Sequence, residues 1–324
     1  MRRSAGLVVL PDRGILRVEG SDRTRWLDGM LSNDVGRLAP GPEHSGCYAL
    51  LLSPKGRILA DLHVLLRGEA YWLELEGGAL AEVRARLERY VIADDVTLHE
   101  ESAAWARFAL EGPGAPEILA AACEGAVLPE PESGCEATLA DTPIVVAAYG
   151  WSGEPGFQLF VPTPAAAAVS AALRAVAGSG LVEADREVLE ILRIEAGIPR
   201  LGAELDEDVF PAEAGLVARA ISLTKGCFTG QEIVARLESR GQVNHRLVGL
   251  RSMGEEPLAA GTPLSDEAGK RVGEVTSACV SARAGAIGLG YVRRSLAVAG
   301  TPLRAECGSV EVADLPLVAP GASE

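Results

Sequence analysis

Apolar and polar positions alternate along the first hundred residues in short runs broken by turn residues. Leu7-Val8-Val9-Leu10 and Ile15-Leu16-Arg17-Val18 flank Pro11-Asp12-Arg13-Gly14, which predicts a β-hairpin. Ser21 or Asp22 then caps a predicted helix whose Trp26, Leu27, Met30 and Leu31 recur at helical spacing. Cys47 to Leu52 and Arg57 to Leu66 read as strands on either side of Ser53-Pro54-Lys55-Gly56. Tyr71 to Leu75 reads as another strand and Gly77 to Tyr90 as an amphipathic helix, and Val96 to Leu98 closes the block.

A looser version of the same order follows. Trp105 to Leu110 predicts a strand, and Gly112-Pro113-Gly114 leads into a helix over about 116–123. Residues 124–140 are rich in Pro, Glu and Gly and read as a surface loop. Pro143 to Ala148 and Phe157 to Val161 are expected to pair around a Gly150–Gly156 turn, and Pro164 opens an Ala-rich helix that ends by Gly178. Two rounds of strand–helix–strand–strand–helix predict an α+β fold with two split-βαβ, ferredoxin-like units.

Glu183 to Ala196 carries Val188, Leu189, Ile191, Leu192 and Ile194, a helix stopped by Gly197 and Pro199. Gly202 to Arg219 is polar and loop-like. Past Asn244-His245 the pattern changes to short strands, Arg246 to Leu250, Arg271 to Ala278, Ala286 to Val292 and Val310 to Val312, with Gly/Pro turns between them. A small antiparallel β-barrel is expected there. The expected domains are 1–100, completed by 185–240, then 101–184, then 241–324.

Composition narrows the function classes. The net charge of −15 gives no general attraction to nucleic-acid phosphates or anionic lipid. Six cysteines form no C-x-x-C, and four scattered histidines complete no zinc spacing, so no stably bound metal is expected. The apolar run from Leu7 to Leu10 is too short for a signal-peptide core or a membrane span, which makes the cytoplasm the expected compartment.

The densest chemical signal is Lys225-Gly226-Cys227-Phe228-Thr229-Gly230-Gln231-Glu232. An ammonium near a thiol favours the thiolate, so Lys225 is a candidate to tune Cys227 as a reactive group, ahead of meeting an anionic ligand, with a solvated surface lysine as the opposing reading. The opposing reading of Cys227 is a buried thiol acting as a small hydrophobe in a turn. Gln231 to Leu237 begins a short helix or strand.

This octapeptide resembles the K-G-C-[FY]-x-G-Q-E signature of the YgfZ-type folate-binding proteins. They form the iron–sulfur-protein maturation branch of the family that includes the glycine-cleavage T-protein (aminomethyltransferase). Further similarities follow in order: Gly20-Ser21-Asp22-Arg23 with Asn33-Asp34-Val35, Pro54-Lys55-Gly56-Arg57-Ile58 with Asp61-Leu62, Gly150-Trp151-Ser152-Gly153-Glu154, Leu192-Arg193-Ile194-Glu195-Ala196-Gly197, and Gly273-Glu274-Val275-Thr276-Ser277.

The resemblance implies a three-lobed T-protein-like arrangement, with two pseudo-symmetric domains, a C-terminal barrel and a cleft where they meet. It implies tetrahydrofolate as the ligand and iron–sulfur client or assembly proteins as partners, with Cys227 as the functional thiol. Glu154 inherits the pterin-binding glutamate's place, since a carboxylate accepts a pterin's paired N–H donors. Its other reading is an exposed turn residue. Asp61 falls where T-proteins carry two adjacent aspartates, and here Ala60 replaces one. Aminomethyl transfer is therefore not expected and stands as the alternative. Asp61 either touches folate or is a strand-end carboxylate, and Asn33 either caps a turn or lines the pocket. Arg193 either is structural or pairs with a folate glutamate tail.

Overall fold

The structure is a computed structural model, and it describes residues 1–123, 126–241, 243–254 and 256–321. Strand β1 (Ala5–Val9) is followed by β2 (Arg13–Glu19), helix α1 (Arg23–Met30), β3 (Gly46–Leu52), β4 (Ile58–Arg67), β5 (Ala70–Glu76), α2 (Gly77–Glu88) and β6 (Thr97–Glu100). Strands β2 to β6 make a five-stranded sheet in the order β3-β4-β5-β2-β6. That is a ferredoxin-like order with β3 added at one edge. The apolar stripes of α1 (Trp26, Leu27) and α2 (Leu80, Val83, Leu87) bury one face of this sheet against Leu16, Val18, Leu62 and Leu73. Asp22 precedes α1, but its side chain does not cap the helix; it accepts instead from the Asp95 backbone N–H.

The hairpin expected at the N-terminus does not form. Strand β1 crosses to the second sheet, where it pairs parallel with β11 (Leu181–Ala184) and antiparallel with β7 (Trp105–Glu111). Four of its five residues are buried, a continuous run suited to an interior strand with both edges paired rather than to a hairpin with one wet face. The second sheet also holds β8 (Gly134–Leu139), β9 (Thr142–Ala147) and β10 (Gly156–Pro162), with α3 (Ala115–Ala122) and α4 (Ala166–Ala177) packed on it. Its order is β11-β1-β7-β10-β9-β8. Removing β1 leaves the same ferredoxin-like order as the first sheet, again with one extra strand at the edge. Strand β8 corrects the expectation of a loop through residue 140, while Glu124 and Gly125 within that stretch lie outside the described residues.

Strand β11 also shortens the helix expected from Glu183, which runs as α5 (Arg186–Ala196). Asp185 caps it by accepting from Val188 N–H at 2.9 Å, and Gly197 closes it in the left-handed region at φ 73°. The following segment is not a polar surface loop. Leu205, Val209, Ala214, Leu216 and Ala220, the last in the short α6 (Val217–Ala220), are buried against Tyr48, Leu50, Leu52 and Ile58 on the second face of the first sheet. Helix α7 (Gln231–Arg240) then leads to the barrel.

The barrel is closed and antiparallel: β12 (His245–Ser252), β13 (Pro263–Ser265), β14 (Arg271–Ser281), β15 (Gly285–Arg293), β16 (Pro302–Ala305) and β17 (Gly308–Ala313), in the order β12-β15-β14-β13-β16-β17. Strands β13 and β16 are too short to show in the sequence pattern. Ile194 of α5 packs with Ile287, Leu289 and Leu317, which docks the barrel on the rest of the chain. No helix among the described residues is long and apolar enough to cross a membrane.

Candidate functional site

The inner faces of the two sheets meet through Ile15, Leu65 and Trp72 on one side and Val145, Ala147 and Phe160 on the other. Charges are buried within this contact. Glu74 of β5 accepts from Arg13 (2.5 Å), Arg107 (2.9 Å) and the Tyr149 hydroxyl (2.9 Å). Burial alone would raise its pKa, but Arg107 and Arg13 outweigh burial and hold it at about 2.

Next to this network, two strands, two loops and the short helix α6 bring together a polar cluster. Asp61 and His63 alternate with Ala60, Leu62 and Val64 along β4, so the polar pair shares the face turned away from the helices. Tyr48 of β3 donates to Asp61 Oδ2 at 3.0 Å, and Asp61 itself is half-buried. The His63 ring stacks on Tyr149 with centroids 3.4 Å apart and planes within 7°, and it tilts against Tyr48 at 5.0 Å. His63 Nδ1 lies 3.0 Å from Glu132 Oε2, yet neither atom has an aligned hydrogen bond although both are buried. The other Glu132 oxygen accepts from Arg219 at 2.8 Å, and Arg219 in turn lies over the Tyr48 ring at 4.4 Å. Burial would raise the Glu132 pKa, but His63 and Arg219 hold it at about 2. The same burial, reinforced by Glu132, pushes the neighbouring Cys47 thiol up to about 12.

Asn33 joins this cluster through its amide, which donates to the Tyr48 carbonyl at 2.8 Å and the Arg219 carbonyl at 3.2 Å. Asn33 and Asp61, 28 positions apart, thus meet at Tyr48. The remaining cluster members were not singled out in the sequence. The signal for His63 was present as a polar residue on the alternating face of an otherwise apolar strand, whereas Glu132 lies in a Pro/Glu-rich stretch that reads as loop.

Lys225 and Cys227 separate. The Lys225 ammonium is buried at the C-terminal end of α1, where it meets the carbonyls of Asp28, Leu31 (2.9 Å) and Asn33 (2.8 Å) and the Asp28 carboxylate (2.9 Å). A cation suits the negative end of a helix. Its charge is therefore committed to α1 rather than to the thiol two positions on. Phe228 is buried with the first sheet's second face, and Cys227 between these two anchors is exposed.

Glu154 and Arg193 lie in other networks. Glu154 is only 8% exposed and accepts from Arg2 at 2.8 Å and from Gly321 N–H at 3.1 Å. The same Arg2 reaches Glu195 at 2.6 Å, and Glu195 accepts from Ser281 at 2.6 Å, so this carboxylate pair ties both chain ends to α5 and the barrel. The Arg193 guanidinium is buried against Glu190 (2.7 Å), Glu204 (2.9 Å) and Ser277 (2.8 Å). Those partners already occupy the fork that a folate tail would need. Among the described residues no group of three or more His, Cys, Asp or Glu side chains is arranged to hold a metal ion.

Residues 1–225 match the GCVT N-terminal domain, and residues 245–318 match the glycine cleavage T-protein C-terminal barrel domain. The chain belongs to the glycine cleavage T-protein family. It is 33% identical over 337 residues to an aminomethyltransferase of Cutibacterium acnes, covering 98% of this chain and 88% of that protein. It is 32% identical over 302 residues to one of Rubrobacter xylanophilus, covering 90% and 77%. Among solved structures it is similar to the glycine cleavage system aminomethyltransferase T from Bartonella henselae, with a TM-score of 0.86, 26% identity and coverage of 98% and 88%. The three-lobed T-protein architecture expected from the sequence is thereby established. The similar proteins named here are aminomethyltransferases, which favours the alternative set out for this chain over iron–sulfur maturation.

Proposed function

We propose that the protein binds tetrahydrofolate as a substrate beside the Tyr48–Asp61 cluster and transfers a one-carbon unit to it from an aminomethyl donor. Asp61 carries this reading. Although Ala60 replaces its neighbour, Asp61 is half-buried, oriented by the Tyr48 hydroxyl, and set at the junction of both sheets and the segment bearing Arg219. A carboxylate so placed accepts a proton or an N–H from a reduced folate nitrogen. The names of the relatives support the same chemistry.

The exposed Cys227 favours a second reading, the thiol-dependent accessory role in iron–sulfur maturation. One experiment separates the two: purified protein is given tetrahydrofolate and an aminomethylated carrier protein. Release of ammonia with formation of methylene-tetrahydrofolate is the expected result. Folate binding without transfer would move the assignment to the thiol reading. We also retain as proposals the cytoplasmic setting, which six free cysteines fit, and the division at residues 100, 184 and 240 with β1 lent to the second unit.

A further inference from the structure

We propose that His63 is a proton carrier of this site and that Glu132 is the positioning residue that aims it. The inference rests on the aminomethyl-transfer reading. Strand periodicity places His63 on the same face as Asp61, roughly 7 Å along β4. The ring is clamped between Tyr149 and Tyr48, so its plane is set by packing. Nδ1 faces Glu132 Oε2 at 3.0 Å, and Arg219 pins the other oxygen of that carboxylate. Among the described residues, Nε2 has no protein partner.

A histidine kept only for packing would have both nitrogens satisfied, as buried polar groups are. Here neither nitrogen has an aligned hydrogen bond: Nδ1 faces a fixed anion at 3.0 Å, near enough for that carboxylate to orient the imidazole, and Nε2 has no protein partner among the described residues, which leaves the ring able to take up and release a proton. Glu132 holds a backbone φ of 66°, an uncommon conformation for a non-glycine residue, and its N–H donates to the Ala148 carbonyl at 2.8 Å. Its ionisation at about 2 keeps the anion present throughout the neutral range. The charged and titratable groups around the ring are Asp61, Tyr48, Glu74, Glu132, Tyr149 and Arg219.

The step balances without an oxidant or reductant. A donor S–CH2–NH2 loses its C–S and C–N bonds while the carbon forms two C–N bonds to N5 and N10 of tetrahydrofolate. The two folate N–H protons leave, one to the departing sulfur and one to the departing amine, which yields thiol and ammonia. His63 Nε2 takes one of these protons as its C–N bond forms, then passes it to the amine and ends unchanged.

The test combines turnover with a spectrum. With four histidines in the chain, His63→Gln identifies the His63 signals in a long-range proton–nitrogen spectrum by difference. We expect the neutral ring to carry its proton on Nδ1 and to shift when tetrahydrofolate is added. In the transfer assay, His63→Gln should lower kcat about 100-fold, within the usual range for losing a general acid–base, with KM for tetrahydrofolate little changed. Free imidazole should restore part of the rate. Glu132→Gln should keep the ring in place yet shift the pH profile of kcat. Undiminished turnover of His63→Gln with the same pH profile overturns the inference while leaving the transfer reading intact. A ring protonated on Nε2 alone overturns it whatever the turnover of the variant, and His63→Asn supplies the same assignment by difference if His63→Gln does not fold. Wild-type protein that binds tetrahydrofolate without transfer removes both the reading and the inference.

Discussion

Gly230 sits against Gly56, so the turn before α7 and the turn between β3 and β4 interlock through two residues without side chains. A Cβ on Gly230 would stand 2.6 Å from the Ser53 carbonyl oxygen and 3.1 Å from Gly56 Cα, and one on Gly56 would stand 3.1 Å from Ile233 Cβ. Both glycines are left-handed, with φ of +83° and +72°. The cysteine motif is thus keyed to the first sheet by shape.

Gly230→Ala should therefore destabilise the protein by about 2 kcal/mol or more, through backbone strain and overpacking together. Ala at Gly261, where nothing stands within 4 Å and φ is +82°, isolates the backbone part of the effect. Urea melts of the two variants measure the difference. Equal losses would show that the Gly230–Gly56 contact contributes nothing beyond conformation.

Glu74 sets a pH dependence. Its folded-state pKa is depressed to about 2 by Arg107 and Arg13 against the cost of burial, so its contribution is fully present above the ordinary carboxylate range near 4.5. It is lost as pH falls through 4 toward 2, and a shift of this size is worth roughly 3 kcal/mol. Arg107→Met leaves Glu74 with a single guanidinium partner in a buried site, and breaking such a pair costs about 3–5 kcal/mol. The variant should also unfold at higher pH than the wild type in an acid titration followed by circular dichroism.

Asp61→Asn keeps the Tyr48 hydrogen bond and the size of the side chain but removes the charge. Transfer to tetrahydrofolate should fall by about 100-fold or more, while tetrahydrofolate affinity changes by less than about tenfold, since a single hydrogen bond to a charged group is worth about 1.5–3 kcal/mol at most. Calorimetric titration alongside the ammonia assay separates the two effects. Loss of binding without a further loss of turnover would make Asp61 a ligand contact only.

Strands β3, β4, β5, β9 and β10 were legible because each is a short apolar run, mostly buried and bounded by turn residues, and such a run is written locally. Partner choice was not, since β1 pairs with Phe108 to Glu111, about a hundred positions away, and nothing in Leu7 to Leu10 encodes that distance. The stretch around Leu205 to Ala220 read as polar because its buried side chains follow turns rather than a period. The site divides in the same way. Cys227 stood out through its contiguous motif, whereas His63 and Glu132 are 69 positions apart in sequence and become a pair only when the sheets meet. Lys225 was read from proximity in sequence to Cys227, but neighbours two apart in an irregular turn face different partners.

That separation gives the last prediction. Lys225 holds three carbonyls and a carboxylate at the end of α1, while Cys227 is exposed beside it. Lys225→Met removes the cation and leaves part of that end of α1 without its donors, which should cost about 1–3 kcal/mol in stability. Cys227→Ser, a near-isosteric change at the surface, should leave stability within about 0.5 kcal/mol of wild type. If Cys227 is a working thiol, Cys227→Ser should fail to restore iron–sulfur enzyme activities in cells lacking the protein, at wild-type melting temperature. If aminomethyl transfer is the function, the same variant should keep its transfer rate. The alkylation rate of Cys227 in Lys225→Met, measured under conditions where the variant is folded, should match that of wild type, because the lysine's charge is directed into α1. A clear drop in that rate would show instead that Lys225 activates the thiol despite its four contacts with the helix.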